Sequence, residues 1–479
     1  MPSAYDAFDQ LLNLAGRSRP DWATIETRTP AMKTRFRAEE AAAAVLAAIG
    51  VEAAELWRSR SGEAQTVRAD TREAAAALVS FVHQQFEDPH RAPPSRPDDA
   101  SGSRGTPAMG FFRTADDRWV FLHPSFPESA ARLHALLGSP KDRDAVAAEA
   151  LKWKALELET AIADAGACGA MARTADEWDA SEPGRLLAAA PVVEIVHIGE
   201  SPPEPSPRLD GAPLAGLRVL DLTRVLAGPT CARTLAQHGA DTLHVSSPHL
   251  PTTDWFVSDT NPGKRSTFLD LRSTEDHAHL RNLVRGCDVF SQSYRSGAID
   301  RLGFGPAELA MQRPGIICVS INAYGHEGPW RARPGWEQLA QTVTGMATAH
   351  GEDFFGGARG PLLQPGAVTD YTTGYLAAFG AMVALRRRAK IGGSYQVRVS
   401  LARTAMWVRG LGRAGPERLE AARPHTPEEL AEWMIRMPET GFGPLRRLRP
   451  PVQLSATPPR WDAPVSRLGA HPPAWSSAL

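Results

Sequence analysis

Asp370, directly after Thr369, stands at the start of a helical pattern, TTGYLAAFGAMVALRRR, with apolar positions at Tyr371, Tyr375, Phe379, Met382 and Val383. Two roles fit an Asp there. It can cap the helix by accepting hydrogen bonds from the first turn. Alternatively, the partial positive charge of a helix start keeps a partly buried carboxylate ionised. Such a carboxylate can attack an acyl thioester as a covalent nucleophile. Gly366 and Gly374 would leave room for a substrate beside it. Glu337, in PGWEQLAQTVTG, lies early in another helical stretch. It reads either as a first-turn acid favouring the helix dipole or as a residue that positions substrate or nucleophile.

The second group of candidates is basic. Arg224 sits in the turn TRVLAGP, where a strand gives way to a helix, and could hold a phosphate together with the backbone N–H groups of the helix start. Arg265, Arg272, Arg295 and Arg301 fall near other predicted strand ends or helix starts of the same sheet. Singly each reads as a solvated surface Arg, and together they suit a multi-phosphate ligand. No GxGxxG or GxxxxGK[ST] is present, which argues against a dinucleotide or a P-loop. The 14 His residues show no HExxH spacing, and none of the four cysteines sits in a CxxC pair. A metal site and a disulfide framework are therefore not expected.

Parallel strands must hold these residues. Leu217–Thr223 (LRVLDLT) is apolar on both faces, as a buried parallel strand requires. Asp241–Val245, Cys287–Phe290 and Ile316–Ile321 read as further strands, each after a helical stretch. This alternation predicts an α/β fold with a doubly wound parallel sheet, whose ligands sit beyond the carboxyl ends of its strands.

With 479 residues the chain is too long for one core. Residues 1–30 read as an N-terminal tail, 31–200 as an Ala- and Glu-rich region, 201–213 as a Pro-rich linker, 214–408 as the strand–helix domain, and 409–479 as an extended segment packing back on that domain. A net charge of −1 gives no support for nucleic acid as a partner. The N-terminus lacks a basic signal region, and no apolar run reaches about 18 residues, so a cytoplasmic protein without a membrane span is expected. A repeat is also visible. Gly62–Ala74 (GEAQTVRADTREA) is similar to Gly393–Ala405 (GSYQVRVSLARTA), which places Glu39 at the offset matching Asp370.

The pieces LAGLRVLDLTRVLAGP, NPGKRSTFLDLRS, CDVFSQSYRSGAIDRLGFG, ICVSINAYGHEGPW, RPGWEQLAQTVTGMATAHG and GAVTDYTTGYLAAFGAMVAL, in that order, resemble the family III CoA-transferases of the CaiB/BaiF type. The resemblance covers Leu214 to about Val408. Residues 109–190 resemble the family's small domain, placed ahead of the main domain, so the chain resembles a partial first copy fused to a shortened second one. The resemblance implies a Rossmann-like domain with a smaller α+β domain, and a homodimer of interlocked rings. It implies transfer of CoA between an acyl-CoA and a carboxylic acid through an aspartyl anhydride and thioester on Asp370. It places CoA contacts on Arg224, Leu226, Ala227, Leu269, Arg272, Ser293, Tyr294, Ala298 and Arg301. The chain departs from the family at Ser246-Ser247-Pro248, where a phosphate-binding Arg is expected near Ser247. Trp336 stands where the racemases of the family carry His, which argues against proton transfer α to a thioester. Isomerisation on the same fold and a CoA-binding protein without turnover are the alternative expectations.

Overall fold

The computed structural model describes residues 3–93, 107–205, 211–356 and 359–476. Its main sheet has seven strands, ordered Lys264–Phe268, Asp241–Ser246, Arg218–Leu222, Val289–Gln292, Ile317–Asn322, Ser394–Ser400 and Glu194–Gly199. The first six are parallel, as the alternating pattern predicts, and the last is antiparallel to Ser394–Ser400. The doubly wound sheet is thus mixed rather than purely parallel. Its order reverses between Arg218–Leu222 and Val289–Gln292, and that switch point opens a crevice at the carboxyl ends of the strands.

The strand Lys264–Phe268 carries charge and gives no apolar run. It is nevertheless buried, because Lys264 Nζ donates to Asp221 Oδ2 and to the Pro229 carbonyl, both at 2.8 Å. The pair is fully buried and ties the sheet edge to the strand Arg218–Leu222 and to the helix Ala227–Gln237.

Residues 110–171 hold a smaller α+β unit. The antiparallel strands Gly110–Arg113, Trp119–Leu122 and Gly169–Met171 are covered by the helices Pro127–Leu136, Arg143–Ala150 and Ala155–Asp164. They enclose a separate apolar cluster that includes Phe112, Val120, Leu133, Val146, Leu158 and Ile162.

The N-terminal 30 residues are not a tail. Ser3 and Asp6 form a capping box at the helix Ala4–Leu14, and Phe8, Leu11 and Leu12 are fully buried. The last region is not simply extended either. It contains the helices Glu417–Ala421 and Pro427–Trp433 and three short strands, and it contacts both halves of the chain. Residues 206–210 of the expected linker, and the chain ends 1–2 and 477–479, lie outside the described residues.

The repeat is structural. The helices Ala38–Ser61 and Val368–Ile391 are 24 residues long, and Gly62 and Gly392 close them at positive φ. A strand and a helix follow each: Val67–Asp70 with Thr71–Ala77, and Ser394–Ser400 with Leu401–Gly410. Asp70 and Ser400 cap those second helices. Each strand lies between a parallel and an antiparallel neighbour. For Val67–Asp70 these are Ala23–Glu26 and Val452–Leu454. For Ser394–Ser400 they are Ile317–Asn322 and Glu194–Gly199. The antiparallel strand of each sheet therefore comes from the other half of the chain. Gly62 matches Gly392 rather than Gly393, so the register moves by one residue and Glu40, not Glu39, stands opposite Asp370.

The two long helices are buried on nearly all sides and pack on each other in the shared core. Gly50 and Gly380 occupy matching positions. A Cβ on Gly50 would meet Val67 and Val452, and one on Gly380 would meet Val397 and Val193. Gly50→Ala and Gly380→Ala should each lower stability by about 1–3 kcal/mol through overpacking, despite the better helix propensity of Ala. Denaturant melts of the two variants check this, and an unchanged midpoint in both would contradict the close approach.

Candidate active site

The turn after Arg218–Leu222 is held from below. Asp221 Oδ1 accepts from the Thr223 N–H at 3.1 Å and from its hydroxyl at 2.5 Å, while Oδ2 holds Lys264. Arg224 and Val225 follow. Val225 has φ 70, strained for a β-branched residue and a recurrent mark of functional turns. Across the switch point, the Arg224 N–H donates to Ser293 Oγ at 3.2 Å. The Arg224 guanidinium lies 5.2 Å from the Phe126 ring centroid and donates to the Pro251 carbonyl. Burial lowers its pKa, and among the described residues no carboxylate pairs with it. A half-buried cation without a counter-ion suits an anionic ligand.

Arg224, Val225, Ser293 and Tyr294 line a cavity of about 300 Å³. The small unit supplies its other wall through Ser125, Phe126, Ser129, Arg132 and Cys168, and the loop Arg331–Trp336 completes it. Five arginines, 132, 224, 295, 331 and 333, face one acid, Glu128. Tyr294 also borders a second, polar cavity of about 180 Å³ next to Ser296, Gly297 and Asp300.

Of the residues expected to touch a cofactor, Arg224, Ser293 and Tyr294 meet at the larger cavity. Leu226 and Ala227 form the buried start of the adjoining helix. Ala298 and Arg301 belong to the turn beside the second cavity without lining it. Leu269 is buried, and Arg272 is exposed and held by both oxygens of Asp270 at 2.8 and 2.9 Å, and neither lines either of these two cavities. Arg265 is likewise spoken for, by Asp241 at 2.9 Å. Sequence reasoning missed the contribution of Phe126, Arg132 and Cys168, which lie some hundred residues ahead of the strands they face. Arg331 and Arg333 carry a readable signal, two arginines immediately before the PGWE turn.

Glu337 opens the helix Glu337–Val343 next to the cavity wall at Trp336. It is 4% exposed. Its Oε1 accepts from Gln341 Nε2 at 2.6 Å and from the Thr369 N–H and hydroxyl at 3.3 and 3.2 Å. Thr369 thus fastens the first turn of Val368–Ile391 to Glu337.

Asp370 is the third residue of that helix, not its cap. The cap position is Ala367, which offers no side-chain bond. Asp370 is partly exposed, and its carboxylate takes no hydrogen bond among the described residues. Gly366 and Gly374 do not leave room for substrate. Val79 and Leu78 fill the space beside Gly366, and the Ala227 carbonyl and Thr230 fill that beside Gly374. The second approach brings the start of the helix Ala227–Gln237 to within one turn of Asp370.

Burial pushes Glu337 up to about 7, against the bonds from Gln341 and Thr369. Burial and then the charge of Glu337 push Asp370 well above the carboxylate range. The charge of Glu337 thus adds to burial in opposing ionisation of Asp370.

The crevice at the switch point is walled by arginines, and Glu337 follows its lining residue Trp336, whereas neither Glu337 nor Asp370 lines the cavity itself. The profile of CoA-transferase family III matches residues 4–202 and 214–414, and the chain belongs to that family. An acyl-CoA transferase of Gibberella moniliformis is 35% identical over 316 residues, which cover 61% of this chain and 55% of the relative. The beta subunit of a succinyl-CoA–L-malate CoA-transferase of Chloroflexus aurantiacus is 33% identical over 196 residues, 38% of this chain and 47% of the relative. A solved CAIB/BAIF family protein from Brucella suis shares 29% identity over 42% of this chain and 56% of its own, with a TM-score of 0.39. The chain spans about half the length of the relatives it matches.

Glu337 links the site to stability. Its folded value, about 7, exceeds the unfolded 4.5, so the folded state holds a proton that the unfolded state has released between those values. Its contribution is complete below 4.5 and is lost as pH rises through 7. Glu337→Gln should therefore gain Tm relative to the parent as pH rises from 4.5 to 7.5, read as the difference between paired melts.

Proposed function

We propose that the chain moves CoA between an acyl-CoA and a carboxylic acid, with Asp370 as the covalent acceptor. The observation that carries this reading is Asp370 itself. It is a partly exposed carboxylate without a hydrogen-bond partner among the described residues, in the first turn of a helix that Thr369 fastens to Glu337, the neighbour of the cavity-lining Trp336. A capping or structural Asp would be bonded.

In this reading the CoA phosphates meet Arg224, Ser293 and the helix start at Leu226–Ala227, with Tyr294 beside them, and Arg295 supplies further charge in place of the Arg missing near Ser247. In its ionised form, which burial and Glu337 disfavour in the free protein, Asp370 attacks the thioester carbonyl, giving an aspartyl-acyl anhydride and CoA thiolate. The thiolate attacks the aspartyl carbonyl, releasing the donor acid and leaving an aspartyl-CoA thioester. The acceptor carboxylate then displaces the thiolate to form a second anhydride. Attack of the thiolate on its acyl carbon releases the new acyl-CoA and restores Asp370. Glu337 holds the attacking turn through Thr369, and its charge resists ionisation of Asp370. Trp336, whose ring stacks on His123 at 5.7 Å, offers no proton-transfer partner for racemisation.

Incubation with a panel of acyl-CoAs should give a hydroxylamine-sensitive adduct on Asp370 by mass spectrometry, absent in Asp370→Asn. A full panel that leaves no adduct on the parent protein would sink the reading. Arg224→Gln should raise KM for acyl-CoA by about 10- to 100-fold with a smaller effect on kcat, since one charge-assisted contact is worth roughly 1.5–3 kcal/mol. An unchanged KM would remove Arg224 from the phosphate site.

A further inference from the structure

The chain holds the start of the long helix twice, and the two copies have opposite surroundings. Glu40 is the third residue of Ala38–Ser61, as Asp370 is of Val368–Ile391. The hydroxyl of Thr34 donates to Gln364 Oε1 at 2.5 Å, a contact between residues 330 positions apart. The same offset relates Gly50 to Gly380, Gly62 to Gly392, Val67 to Val397 and Glu40 to Asp370. Equivalent residues that touch each other lie on the pseudo-twofold axis, so both carboxylates flank that axis.

Glu40 is 6% exposed. Arg418 Nη1 donates to its Oε1 at 2.6 Å and Nη2 to its Oε2 at 3.0 Å, the bidentate geometry of a strong pair. Arg37 approaches Oε1 at 3.5 Å, and Arg418 Nε is fixed by the Thr34 carbonyl at 3.1 Å. Among the described residues Asp370 has no such cation, and the charge acting on it is that of Glu337. Among the described residues, the first-half sheet also has only three strands. None corresponds to Arg218–Leu222 or Val289–Gln292, whose ends build the crevice.

We infer that Glu40 is the closed twin of Asp370, shut by Arg418, so that a chain with two equivalent carboxylate positions accepts an acyl group at one. This rests on the transferase reading of Asp370. A carboxylate with both oxygens engaged by one guanidinium has neither the free lone pair nor the access that attack on a thioester needs. Arg418 turns the former counterpart into an anchor for the helix Glu417–Ala421.

Adduct stoichiometry and melting together test the inference. After saturation with acyl-CoA, intact-mass analysis should show at most one hydroxylamine-sensitive adduct per chain. It should be absent in Asp370→Asn and retained in Glu40→Gln. A second adduct on the parent, or one mapped to Glu40 in Asp370→Asn, overturns the proposal. The melting arm does not depend on turnover. Glu40→Gln and Arg418→Met should each lower Tm by several degrees, because each leaves a buried partner behind, whereas Asp370→Asn should hold or raise it. Absence of any adduct on the parent would refute only the role of Asp370. An unchanged Tm in Arg418→Met would refute the lock itself.

Discussion

The exchange of edge strands between the two halves constrains everything else. Val452–Leu454 completes the sheet of the first half and Glu194–Gly199 that of the second. Between those sheets lie two helices buried on nearly all sides, a pattern that no surface helix tolerates. Neither helix can bury its surface within its own half, because each needs the other and the strand that the other half donates. Gly50 and Gly380 let each helix approach its sheet closely, where Val452 and Val193 from the other half stand beside Val67 and Val397. The crevice inherits this arrangement. One wall comes from the ends of the main sheet and the other from the small unit that precedes it in the chain.

The same symmetry explains how one position can serve opposite purposes. A carboxylate in the first turn of a helix starts with a favourable field in both copies. In the first copy two arginines add to that field and use both oxygens. In the second copy Glu337 opposes it and burial opposes it further. Around the next residue the charge is balanced more fully. The Tyr371 hydroxyl donates to Asp259, which Arg233 and Arg447 also hold. The helix is thus anchored one residue beyond Asp370 by a satisfied network, while Asp370 itself remains unsatisfied. Such an arrangement keeps the backbone fixed and leaves the Asp370 carboxyl poor in partners.

Much of this was legible in the sequence, and what was not has identifiable causes. Four of the seven main strands stood out because a buried parallel strand needs apolar residues on both faces. Lys264–Phe268 did not, since its burial depends on a Lys–Asp pair formed with a strand some forty residues earlier. The antiparallel edge strand Glu194–Gly199 could not be assigned to this sheet, because strand exchange across the two halves leaves no local mark. Asp370 and Glu337 were readable as a pair of acids at helix starts, but the hydrogen bonds through Thr369 that join them were not. The repeat was visible yet misaligned by one residue. Gly392 and Gly393 are adjacent and both have positive φ, and the C-cap position of each long helix shows that Gly392 is the one matching Gly62. That single step decides whether Glu39 or Glu40 is the counterpart of Asp370.

The turn at Arg224 shows why the crevice is ready before a ligand arrives. Beneath it, Asp221 spends one oxygen on Thr223 and the other on Lys264, and Lys264 reaches on to the Pro229 carbonyl in the first turn of the following helix. Every group in that layer is buried and paired, so the backbone has little freedom to relax the positive φ of Val225. Above it, Arg224 has an aromatic ring and a carbonyl but, among the described residues, no anion. Strain is held below and charge is left open above. An anionic ligand would therefore find the donors already aimed and would supply the one partner the turn lacks, which is what preorganisation means in electrostatic terms.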